Sequence, residues 1–124
     1  MRAAGQTAWF DDEAMMDAVT AISGSGPAYV FFFIEALEAA ARAMGMTPEQ
    51  ARVLALGTFR GATQLAAQSD EPVRLLRERV TSKGGTTAAA LERMAAQGLD
   101  RQFIEAVFAA LERGRELGRQ YGAG

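Results

Sequence analysis

The chain has 124 residues, 49% of them hydrophobic, a formal net charge of −2, and neither cysteine nor histidine. That size suits one domain with a hydrophobic core of ordinary extent. The missing residue types exclude disulfides, thiolate or imidazole metal ligation, a Ser-His-Asp triad and a histidine base, while the charge leaves no basic footprint for nucleic acid or an anionic membrane surface.

Residues 1–10, MRAAGQTAWF, lack the apolar stretch of a signal peptide and read as a junction or tail ahead of a helical domain at 11–120. Cytoplasm is the expected compartment. DDEAMMDAV, residues 11–19, opens with acidic residues that suit a helix N-terminus through capping and the macrodipole. Capping accounts for Asp11 and Asp12, no further Asp or Glu recurs at ligand spacing, and no metal is expected. SGSGP, residues 23–27, reads as a break between helices. It is neither a Walker loop nor a dinucleotide fingerprint, because no Lys-Ser/Thr follows it and no strand precedes it.

Pro27 then suits the first turn of a helix over 27–44, closed by Gly45. The longest uninterrupted apolar run, 26–34, ends at Glu35. That is less than half of the ~20 residues a membrane span requires, so no membrane partner is expected. TPEQ, residues 47–50, is a capping box that starts a helix running to 68. SDEP interrupts at 69–72, and a short helix follows over 73–79. Beyond a glycine pair, a helix over about 87–97 stops at Gly98, and the last helix runs from 100 to about 117. Phe103, Ile104, Val107, Phe108 and Leu111 recur there at three- and four-residue spacing. ERGREL, residues 112–117, pairs Glu112 with Arg115 on a solvated face. With no strand alternation and no repeat, the fold class expected is all-α.

Two helices ask for cover. Phe31, Phe32 and Phe33 are consecutive, and successive helical residues point about 100° apart, so one core stripe cannot receive all three. A second copy of the chain is favoured over its own neighbours as the cover. Gly57 and Gly61 lie four apart on the 48–68 helix, a smooth strip for a close backbone, at about 1 kcal/mol of helix propensity each.

VTSKGGTTAAALERM, residues 80–94, is the segment with chemistry in it. Glycines at 84 and 85 permit positive φ and close approach by another molecule. Thr86 or Thr87 is the expected cap of the next helix, but no Glu or Gln follows three residues later, so first-turn amides stay unclaimed. Free amides at a helix N-terminus can hold a carboxylate or phosphate, and Lys83 adds positive charge nearby. A plain glycine turn with water on those amides reads the pattern equally well.

The same segment closely resembles the signature of pyrroline-5-carboxylate reductases. DAVTAISGSGPAYVFFFIEAL (17–37) and GMTPEQARVLALGTFRGA (45–62) resemble the family's dimerisation region, collinearly over about 9–120. The resemblance implies an all-α helical bundle forming an interlaced homodimer, with dimers joining into rings. The family's N-terminal Rossmann domain, which carries NAD(P)H, has no match here. The isolated chain is therefore expected to bind no cofactor and to be inactive.

By resemblance, amides around Gly84, Gly85, Thr86 and Thr87 hold the carboxylate of 1-pyrroline-5-carboxylate, and the Thr87 hydroxyl, the implied catalytic group, faces the ring nitrogen. Val80 and Ser82 line the pocket, Glu13 falls at a family acidic position near the substrate, and Arg79 stands where the family can touch cofactor. Lys83 departs from the family's proline. The implied reaction is hydride transfer to the C=N carbon, with Thr87 as a hydrogen-bonding positioner, since a threonine hydroxyl is too weak an acid to protonate an imine efficiently. Two other readings are a helical dimerisation module that binds no small molecule, and the helical domain of another nicotinamide-dependent dehydrogenase, which would lack the SKGGTT turn.

Overall fold

The structure, a computed structural model, describes residues 13–122. The expected junction at 1–10 and the capping by Asp11 and Asp12 lie outside the described residues. The described chain is helical: α1 Glu13–Val19, a π-turn Thr20–Gly24, α2 Gly26–Ala43, α3 Pro48–Gln68, α4 Val73–Arg79, α5 Thr86–Ala96 and α6 Leu99–Gly122. It divides into two compact units, Met1–Val30 with Gly98–Gly124 and, separately, Phe31–Gln97, so the boundary falls inside α2.

In the first unit, α1 and the π-turn both pack on α6. The Tyr29 ring meets Phe103 edge-on, centroids 5.5 Å apart, and its hydroxyl donates to the Ala21 carbonyl at 2.7 Å. SGSGP is not the break expected. The Ser25 amide donates to the Thr20 carbonyl at 2.9 Å, five residues back, and Ser25 keeps helical angles. The Thr20 and Ser23 hydroxyls donate to the carbonyls of Met16 and Val19, each at 3.0 Å. Such back-bonding satisfies the preceding turn while the helix widens, so the glycines are absorbed without a loop. The final helix also outruns its expected end near 117, and its ion pair is Arg113 with Glu116 at 3.0 Å.

In the second unit, α2 ends in a Schellman arrangement. The Gly45 amide donates to Arg42 at 3.0 Å, the Met46 amide to Ala41 at 3.2 Å, and Gly45 has φ 102°. Thr47 then caps α3 in a full capping box, receiving the Gln50 amide at 3.1 Å while the Gln50 side chain receives the Thr47 amide at 3.0 Å. Pro48 takes the first helical position, as the sequence predicts.

The expected core of ordinary extent is not present. Among the described residues only Ala21, Ala51 and Ala55 are buried. Phe31 and Phe32 are 63% and 65% exposed, and Val53, Leu54 and Leu65 on α3 are also exposed. Phe31 and Phe32 on α2 are therefore left uncovered among the described residues. At Gly57 and Gly61 an added Cβ would meet open space, so among the described residues no backbone uses that strip.

Because the π-turn joins α1 to α2, Met15–Ala43 forms one helical stretch that is long and apolar enough, by length and composition, to cross a membrane. The run-by-run sequence reading rejected any such span; the joined helices correct it. A helix whose apolar sides are meant for another subunit passes the same test. Asp17, Gly26 and Pro27 within the stretch suit the second use better.

Candidate functional site

The segment from α4 to α5 turns in three steps. At the end of α4 the amides of Val80 and Thr81 donate to Arg77 and Glu78 at 3.2 and 3.1 Å, and the Thr81 hydroxyl donates to the Arg77 carbonyl at 2.6 Å. Ser82, Lys83, Gly84 and Gly85 then form a tight turn closed by the Gly85 amide on the Ser82 carbonyl at 3.0 Å. Helix α5 starts at Thr86.

The two glycines serve different needs. Gly84 takes φ 75°, the left-handed region that side chains disfavour. Gly85 has ordinary φ, but a Cβ there would stand 2.8 Å from the Ser82 Oγ and 3.2 Å from its carbonyl oxygen. The close approach that the sequence assigned to another molecule is, at Gly85, made by Ser82 of the same turn.

Neither threonine is the cap. Gly85 is the N-cap, extended at φ −90° and ψ −174°, and makes no side-chain capping bond. Thr86 and Thr87 are the first two helical residues. The physical reason is the turn itself, which reaches the helix one residue earlier than expected and leaves both hydroxyls past the capping position. The Gly85 amide is occupied within the turn, and the first intrahelical donor, Ala89, bonds Gly85 at 3.2 Å. Among the described residues, the amides of Thr86, Thr87 and Ala88 have no acceptor and the first turn carries no acidic side chain. They form the positive end of the α5 dipole, with the exposed Lys83 beside them in sequence.

The structure thus brings Val80, Ser82, Gly84, Gly85, Thr86 and Thr87 into one turn, with Val80 66% exposed. Glu13 begins α1, in the other unit. Arg79 is the last residue of α4, and its guanidinium grips both carboxylate oxygens of Glu71. Hydrogen bonding from Arg79 holds the Glu71 carboxyl below the ordinary carboxylate range; burial opposes it, and the arginine's charge adds the least. The same hydrogen bonding raises the Arg79 guanidinium correspondingly. Sequence reasoning missed Glu71. Its signal is an acid just ahead of a short helix that ends in arginine.

Two hollows lie elsewhere: an open apolar one of about 540 Å³ by Met46, Glu49, Gln50, Val53 and Leu54, and one of about 330 Å³ by Arg113, Glu116, Arg119 and Gln120.

The family model for pyrroline-5-carboxylate reductase dimerisation matches residues 13–117. The chain belongs to this family. It is 44% identical over 122 residues to the pyrroline-5-carboxylate reductase of Pseudomonas aeruginosa, covering 98% of this chain and 45% of that protein. Against pyrroline-5-carboxylate reductase 2 of Bacillus subtilis it is 41% identical over 110 residues, 89% of this chain and 40% of the relative. The crystal structure of the Plasmodium falciparum reductase with NADP bound superposes with a TM-score of 0.83 at 38% identity, covering 86% of this chain and 41% of that one. The Coxiella burnetii reductase gives 0.83 at 41% identity, covering 87% and 40%. The chain therefore spans less than half the length of these reductases, and its all-α architecture is that of their dimerisation region.

Proposed function

We propose that this chain is the homodimerising, substrate-binding part of a reductase that converts 1-pyrroline-5-carboxylate to L-proline, a cytoplasmic biosynthetic enzyme. The observation carrying the substrate role is the set of free first-turn amides at Thr86, Thr87 and Ala88, ahead of a helix with no capping side chain. They donate to the substrate carboxylate, where the helix dipole favours negative charge. The Thr87 hydroxyl reaches the ring nitrogen as a positioner, and Ser82 and Val80 line the ring. Anchoring one end of a small ring fixes which face it presents, and such orientation contributes several kcal/mol of barrier lowering, roughly, in well-aligned reactions.

Nicotinamide, when bound, supplies the hydride. The described residues form no strand, hence no βαβ unit of the kind that cradles a dinucleotide. Toward a cofactor, Arg79 retains the donors that Glu71 leaves free. Homodimerisation with interlaced helices, and rings built from such dimers, fit the exposed apolar sides of α2 and α3.

The test is Thr87→Ala in the natural full-length gene product. Turnover with pyrroline-5-carboxylate falls at least tenfold while sedimentation shows the oligomer unchanged. Kinetics equal to wild type would remove Thr87 from the site. If, in addition, proline fails to slow hydrogen exchange at the Thr86–Ala88 amides, a dimerisation module without a ligand is the better description.

A further inference from the structure

Helix α4 has seven residues, well short of the ~12–15 at which a helix becomes even marginally stable alone in water. Its N-cap, Pro72, makes no side-chain bond. What straps it is an ion pair along its full length. Glu71, one residue before the cap, takes both terminal nitrogens of Arg79, the last helical residue. From Val73 to Arg79 the helix rises about 9 Å, and Glu71 and Pro72 lie ahead of it, so the pair spans the whole helix. The acid sits by the positive end of the helix and the base at the negative end, so each also complements the dipole. The Glu71 amide is itself anchored on the Ser69 hydroxyl at 3.1 Å. The other α4 pair, Arg74–Glu78 at 2.9 Å, stays within the helix and reaches neither end.

Val80 follows Arg79 directly, and the turn to the free amides departs from there. We propose that Glu71 is a positioning residue for the 80–88 turn: by holding Arg79 it fixes the end of α4 from which the turn leaves, and thereby the direction of the Thr86–Ala88 amides. This rests on the reading of that turn as the carboxylate site. Both side chains are partly exposed, 55% for Arg79 and 40% for Glu71. Such pairs are worth up to about fivefold in an equilibrium constant and are screened by salt.

The experiment uses the full-length gene product and measures KM and kcat for pyrroline-5-carboxylate at low and high salt. Glu71→Gln is expected to raise KM about three- to fivefold with kcat within twofold. Arg79→Gln reproduces the rise in KM, the double variant is no worse than either single, and Glu71→Asp recovers part of the loss. High salt raises KM for all of them and narrows the gap between wild type and the variants. An unchanged KM in Glu71→Gln, or additive effects in the double variant, overturns the proposal. Thr87→Ala is run alongside. If it is impaired while Glu71→Gln is not, only the positioning role falls; if neither is impaired, the carboxylate reading of the turn falls and takes this role with it.

Discussion

The turn between α4 and α5 and the exposed sides of α2 and α3 differ in what they need to be complete. The turn closes on itself: Ser82 receives the Gly85 amide, Gly84 supplies the left-handed residue, and Thr81 bonds back to Arg77. The helices satisfy their backbone but not their side chains. Phe31 and Phe32 stand nearly two-thirds exposed, and the only buried residues among those described are three alanines. Hydrogen bonding is short-ranged and directional, so a few residues can finish it. Hydrophobic burial scales with area, and the described residues do not cover their own. One region can therefore be read from the single chain, while the other makes sense only against a second molecule.

Making the helix sides polar removes the surface that needs a second molecule. Phe31→Asp with Phe32→Asp should abolish the oligomer and with it cooperative thermal unfolding, since each phenylalanine forfeits roughly 1.5–3 kcal/mol of burial per subunit. Wild-type Tm should rise with protein concentration, as for any fold completed by association. A doubly substituted chain that sediments and melts like wild type would mean the helices are covered some other way.

The turn should behave oppositely. Gly84→Ala forces a side chain into φ 75°, a loss of about 1–2 kcal/mol in a urea titration, with the oligomer kept. Gly85→Ala should cost less. The Ser82 Oγ at 2.8 Å can rotate away, and only the carbonyl oxygen at 3.2 Å must give by a few tenths of an ångström. If Gly85→Ala were the more damaging, the division of labour between the glycines would be wrong. At the start of α3, Thr47→Ala removes the hydroxyl that receives the Gln50 amide, about 1 kcal/mol by the same titration.

What could be read from sequence follows the same line. The Thr47 capping box, Gly45 and Gly98 as helix stops, and the limits of α4 come from neighbours within a few residues, and each appears where expected. The π-turn was missed because glycine and proline at 23–27 signal a break, whereas the Thr20 and Ser23 hydroxyls let the helix pass through it. The cap of α5 was misplaced by one residue because the turn's closure on Ser82, rather than threonine's capping preference, decides where the helix begins. Most of the candidate site was legible as a contiguous motif. Glu71 was not, because an eight-residue spacing falls outside the three- and four-residue pairs that a helical pattern reveals.

The Glu71–Arg79 pair responds weakly to acid. Arg79 lowers the folded-state pKa of Glu71, so the pair's stabilisation is complete above the unfolded carboxylate value and is lost as pH falls through the lowered folded one. Arg79 is raised, so its share is complete below the ordinary guanidinium value and disappears only in strong alkali. Across the neutral range both groups stay charged and the strap holds. A carbon-detected titration of the Glu71 carboxyl should give a midpoint below that of an unstructured peptide carrying the same residues, and Arg79→Gln should move it back up. A midpoint at or above the peptide's would mean that the two side chains do not meet in solution, and that α4 is held by Leu75 and Leu76, its half-buried residues, instead.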